Sequence, residues 1–150
     1  ALDAALELNH PCGGWCPKGR KSEAGPIPDK YPVQEHPSAS YPVRTELNIL
    51  DSDGTLVFTF EDPTGGTKLT VELAGIHNKP IFIIDLEFDP LNVDPKKVWE
   101  WGCEHEIFIL NVAGPRESKQ PGIQTIVKGI MSEIIGNAQK CYPIVSEKKA

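Results

Sequence analysis

The stretch Thr55-Leu56-Val57-Phe58-Thr59-Phe60-Glu61-Asp62-Pro63-Thr64-Gly65-Gly66-Thr67 decides how this chain folds. Its first six residues are β-branched, aromatic or aliphatic, and apolar at successive positions, which reads as a strand buried on both faces. Pro63 and the Gly65-Gly66 pair interrupt it, and Leu69, Leu73 and Ile76 then recur at helical spacing. A strand passing through a glycine turn into a helix is the building unit of a parallel α/β sheet. Lacking Cβ atoms, Gly65 and Gly66 allow positive φ and close approach of a ligand, while the helix start offers free N–H groups and a partial positive charge. Thr64 and Thr67 add hydroxyl donors and Lys68 a cation. Taken alone, such a pair reads equally well as a tight turn.

A second unit repeats the arrangement. Ile107-Phe108-Ile109-Leu110-Asn111-Val112 is an apolar run, followed by the loop Ala113-Gly114-Pro115-Arg116-Glu117-Ser118-Lys119-Gln120-Pro121-Gly122. A regular helix comes next, with Ile123, Ile126, Val127, Ile130, Ile134 and Ile135 on one stripe. In an open α/β sheet the loops that follow the strands share one edge, so the two loops converge on a crevice suited to phosphate. Arg116 is the candidate planar fork, with Ser118, Lys119 and the N–H groups near Gly122 completing the site. The bland alternative is a solvated loop in which Arg116 pairs with Glu117.

Outward from these units the pattern continues. Leu2, Ala5, Leu6 and Leu8 have helical spacing. His10 to Pro42 is dense in Pro and Gly and reads as a long ordered loop with a short strand near Trp15. Ser40 caps a helix running to Asp51, Pro80 to Asp85 is another apolar strand, and Asp94-Pro95 starts a helix that Gly102 stops. Strands alternating with helices predict one Rossmann-like domain over residues 1–140, a parallel sheet with helices on both faces, and a flexible tail over 141–150.

The formal net charge is −6, with acidic residues dispersed along 150 positions, which argues against nucleic acid or an anionic membrane as partner. No apolar run approaches the roughly 18 residues that cross a bilayer. The expectation is a soluble cytoplasmic protein. Cys12, Cys16, Cys103 and Cys141 read as reduced thiols, and Cys12, Cys16, Cys103 with His105 do not have a spacing that closes a zinc tetrahedron dependably. Within Gly13-Gly14-Trp15-Cys16-Pro17-Lys18-Gly19-Arg20, the Trp15 ring with Lys18 and Arg20 could clamp a flat heterocycle and its phosphate. The same stretch is also readable as an Ω-like loop pinned by Trp15. Glu72 reads as a general acid or base or, more simply, as an exposed helical glutamate. Asp51 and Asp53 read as turn and cap residues.

Five blocks, in order, carry a family resemblance: Gly13 to Arg20, Arg44-Thr45-Glu46-Leu47-Asn48, Asp51-Ser52-Asp53-Gly54-Thr55, Thr64 to Thr67, and Asn111 to Ser118. Together they resemble the molybdenum carrier (molybdenum cofactor carrier protein) family. That family lies within the Rossmann-like group of lysine-decarboxylase-like proteins and cytokinin phosphoribohydrolases. The resemblance implies a homo-oligomer that binds and protects molybdenum cofactor (molybdopterin), a small phosphorylated cofactor, without turnover and with molybdoenzymes as further partners. It matches Thr64, Gly65, Gly66 and Thr67 to the family's phosphate loop, and Asn111, Gly114, Arg116, Glu117 and Ser118 to its C-terminal loop. Family members open with a strand and a Ser-Gly-Gly-Gln-Thr-Gly type loop, a unit expected to be missing here. The alternatives are a nucleotide phosphoribohydrolase or a nucleotide-binding sensor. The hydrolases resemble one another in Pro-Gly-Gly-x-Gly-Thr-x-x-Glu, whereas Pro63 to Glu72 here lacks the third glycine.

Overall fold

The computed structural model describes residues 1–87 and 93–141. Its central sheet is parallel, with β5 (Gly54–Thr59) between β6 (Ile81–Asp85) and β7 (Leu110–Ala113). Thr55 pairs with Ile81 on one side and Asn111 on the other, and Val57 with Ile83 and Ala113. Each residue of β5 is buried, as its unbroken apolar run requires of a strand covered on both faces. Helices supply the cover: α2 (Tyr41–Leu50) packs on α3 (Gly65–Ile76), while α1 (Leu2–Glu7) and α4 (Pro95–Glu104) pack on α5 (Ile123–Cys141). Leu56 and Phe58 share a core with Ile123, Ile130, Ile134 and Ile135, and Ile126 and Val127 pack at its margin. The α5 stripe is therefore the core face. Among the described residues no helix is long and apolar enough to cross a membrane.

Two boundaries differ from the sequence reading, the first being that Gly102 does not stop α4, which runs on to Glu104. The strand expected from Ile107 begins only at Leu110. Asp53 causes the delay: its Oδ2 accepts from the backbone N–H groups of Phe108 and Ile109 at 3.0 and 2.8 Å, so a side chain takes the partners a ladder would use. Ser40 does stand at the start of α2, but its hydroxyl makes no capping bond. Asp94, by contrast, accepts from Lys96 N at 2.9 Å with Pro95 behind it, the expected start of α4. Of the tail expected over 141–150, Cys141 still belongs to α5, and residues 142–150 lie outside the described residues.

The long loop carries two small sheets. β1 (Trp15–Cys16) pairs in parallel with β4 (Gln34–Glu35), and β2 (Lys21–Ser22) antiparallel with β3 (Gly25–Pro26). Two-residue strands do not hold a loop by themselves. Asn48 on α2 does so from outside, accepting from Trp15 N at 2.7 Å and donating to Trp15 O at 3.2 Å. Gly14 has φ +133°, and a Cβ there would sit 3.1 Å from the Asn48 oxygen, so this clamp requires the glycine.

Candidate functional site

Gly65 opens α3 at φ +53°, a conformation glycine tolerates and most side chains resist. Thr64 precedes it in extended backbone and makes no side-chain capping bond, so the first N–H groups of the helix stay open. A Cβ on Gly65 would lie 3.5 Å from Lys119 Nζ. The cation of the second loop thus stands over the N-terminus opened by the first. A cavity of about 360 Å³ joins them, lined by Thr64 and Thr67 on one side and by Pro115, Lys119 and Gln120 on the other, with Thr59 from the end of β5. Asp62 also lines it and is the one carboxylate there. A hollow of about 400 Å³ between α4 and α5 mixes Asp94 and Glu133 with Lys96 and Lys140, without a glycine loop or an open helix start beside a cation.

The expected convergence of the two loops is present, but the cation differs. Arg116 is not in the cavity wall; its Cζ stands 5.0 Å from the ring centre of Tyr41. Glu117 turns to α5, accepting from Gly122 N at 2.6 Å and Gln124 N at 3.0 Å. Those bonds, the one from Gln124 foremost, hold its carboxyl below the usual glutamate range. Ser118 donates to Glu23 from its hydroxyl at 2.6 Å and its N–H at 3.3 Å, and the hydroxyl bond is the main reason Glu23 also titrates low. Asn111 donates to Thr55 Oγ1 at 3.2 Å across β7 and β5. Gly114 lets the chain pass Phe58: a Cβ there would come within 3.2 Å of the Phe58 carbonyl.

The Gly13 to Arg20 residues are engaged in holding the loop. Trp15 Nε1 donates to Asp51 at 2.7 Å, and its ring meets His36 edge-on at 6.0 Å. Arg20 donates to the carbonyls of Ile27, Pro28, Val33 and Tyr31 at 2.8 to 3.1 Å. Lys18 is exposed on a short 3-10 turn. Glu72 lies 3.8 Å from Lys68, both exposed on α3. The thiols of Cys12, Cys16 and Cys103 are free, and no group of three or more His, Cys, Asp or Glu among the described residues could hold a metal ion.

Sequence reasoning took Tyr41 as a packing anchor of the long loop and assigned neither Tyr41 nor Arg44 a binding role. Arg44 Cζ lies 5.7 Å from the Tyr41 ring and its Nε is buried with no acceptor among the described residues. Burial holds this guanidinium below its ordinary pKa, and the charge of Arg116 pushes the same way. The three-residue spacing of Tyr41 and Arg44 on a helix was the available signal, since it stacks side chains on one face.

A parallel sheet whose central strand ends in a glycine turn, with a second loop folding a lysine over the next helix start, defines a Rossmann-like α/β domain. Within that class, the chain belongs to the circularly permutated YpsA SLOG family, whose model matches residues 1–135. Among solved structures it is similar to a protein from Syntrophus aciditrophicus SB described as a "putative molybdenum carrier protein". The two are 38% identical with a TM-score of 0.82, over 90% of this chain and 85% of the other. The resemblance carried by the sequence blocks is borne out. Comparison with curated proteins finds no match.

Proposed function

We propose that this protein holds a phosphate-bearing cofactor at the start of α3 as a carrier without turnover, and that the cofactor is molybdenum cofactor. The carrying observation is the Lys119 ammonium beside Gly65, over a helix start that no side chain caps. An anion there meets the open N–H groups of Gly65 and Gly66, the hydroxyls of Thr64 and Thr67 and one lysine, a donor set that fits a phosphate. Asn111, Gly114, Glu117 and Ser118 shape and anchor the second loop. The identity of the cofactor rests on the described role of the similar protein from Syntrophus aciditrophicus SB. In this reading the metal travels on the cofactor's own sulfur atoms, and the protein grips the organic portion. The pairing of Glu72 with Lys68 at the surface gives no support to a hydrolase.

The test is native mass spectrometry of protein purified anaerobically from a host that makes molybdenum cofactor, followed by identification of any released molecule. The expected result is a phosphorylated pterin in the wild type and its loss in Lys119→Ala, where one charge-assisted contact worth about 1.5–3 kcal/mol disappears. A nucleotide in its place, or a pterin indifferent to Lys119→Ala, overturns the assignment.

A further inference from the structure

Three cations from three separate segments gather on one aromatic ring. Lys21 Nζ lies 5.5 Å from the Tyr41 ring centre, Arg44 Cζ 5.7 Å and Arg116 Cζ 5.0 Å. None of the three forms an ion pair among the described residues. The Glu23 carboxylate, hydrogen-bonded to Ser118, offsets part of the Arg116 charge from nearby but forms no ion pair with it. Arg44 is half-buried, its Nε without an acceptor among the described residues. Like charges brought together repel, and burial strengthens the repulsion by removing water. One tyrosine face attracts a cation but cannot neutralise three. In a chain of net charge −6 such a knot of unpaired positive charge is a local exception.

An anion resolves this imbalance. Two guanidinium groups present planar forks that bind oxygens in pairs, and a lysine adds a mobile point charge. Donors arriving from the α2 helix, the β2 strand and the 113–122 loop match an acceptor with oxygens pointing in several directions, which a tetrahedral oxyanion has and a flat carboxylate lacks. We propose that Lys21, Arg44 and Arg116, gathered on Tyr41, form a second anion site, separate from the α3 cavity, that takes a tetrahedral oxyanion such as phosphate. The oxyanion enters either as the free ion or as the terminal group of a larger ligand. This inference does not depend on the identity of the cofactor.

Isothermal titration with inorganic phosphate in the Lys119→Ala background, where the α3 cavity is disabled, tests it. Phosphate still binds there, and adding Arg116→Gln weakens it at least tenfold. Lys21→Gln weakens it severalfold, and so does Arg44→Lys, which keeps the charge but loses the fork. Arg116 and Lys21 are exposed, so these variants keep the test sound if half-buried Arg44 does not tolerate change. A second titration with phenyl phosphate separates the sources: tighter binding than inorganic phosphate identifies a terminal group whose ring lies on Tyr41, and equal binding identifies the free ion. Phosphate affinity in Lys119→Ala that ignores both Arg116→Gln and Lys21→Gln, or no binding at all in that background, overturns the proposal. Neither result bears on the α3 cavity, which Lys119→Ala probes separately.

Discussion

Arg20 shows what a single residue does here that its neighbours in sequence do not announce. A basic residue in a glycine-rich loop reads as a ligand for phosphate, yet its guanidinium serves four backbone carbonyls between residues 27 and 33. An ammonium group cannot reproduce that planar fork. Arg20→Lys is therefore expected to destabilise the protein by about 2–3 kcal/mol and to speed amide exchange across residues 21–33 ahead of the sheet. Exchange that rises equally in β5 would show that the loop has no separate stability. At the cavity, Asp62 is the carboxylate among donors. Removing its charge in Asp62→Asn should tighten phosphate binding severalfold in titration, because like-charge repulsion disappears while the donors stay. Weaker binding would mean that Asp62 works through a bridging cation instead. None of these pairings was visible in the sequence, since each joins residues whose proximity only the folded loop creates.

At the level of elements, the loop of residues 113–122 hangs on two carboxylates. Glu117 accepts from the first N–H groups of α5, where the helix dipole favours negative charge, and Glu23 accepts from Ser118. Both carboxyls titrate below the usual glutamate range because these bonds favour the charged form. A lowered native pKa stabilises the fold fully above the unfolded value and loses that contribution as pH falls through the native one. The loop should therefore loosen in the acid range below about pH 4.3, the ordinary glutamate value, and should be firm at neutrality. The protection factors of the Gly122 and Gln124 amides, corrected for intrinsic exchange, should show the step when followed against pH, and Glu117→Gln should remove most of it. Protection factors that do not change with pH in the wild type would refute the assignment. β7 teaches the complementary lesson. The apolar run from Ile107 was correctly read as a strand, but its start was set by Asp53, some 55 residues upstream, and Phe108 remains 90% exposed. Periodicity reports burial, and side-chain competition for backbone donors decides where a ladder begins.

Across the whole molecule, the features that could be read in advance were those repeated over many residues. The isoleucine stripe of α5, the continuous apolar run of β5 and the two glycine loops each follow from local pattern, and together they implied the parallel sheet and the shared crevice. Of the small sheets of the 10–42 loop the short strand at Trp15 was legible, but its pairing with β4 and the Tyr41 cluster were not, because contacts over longer sequence separations build them. The same logic governs α1. A helix of six residues has too few internal bonds to persist in water, and no side chain caps it. It is held by α5: Lys128 meets Glu7 at 2.6 Å, Gln139 donates to Leu8 O at 3.0 Å, and Ala4 and Ala5 share a core with Ile130, Ile134 and Ile135. Opening a cavity on α5 should thus be felt at the other end of the chain. Ile134→Ala is expected to cost about 2–4 kcal/mol of global stability in denaturant titration. It should also raise amide exchange in Leu2–Glu7 by more than in β5, since α1 takes its main packing support from α5. If α1 and β5 lose protection to the same degree, α1 unfolds only with the whole domain, and the six-residue helix draws its stability from the sheet.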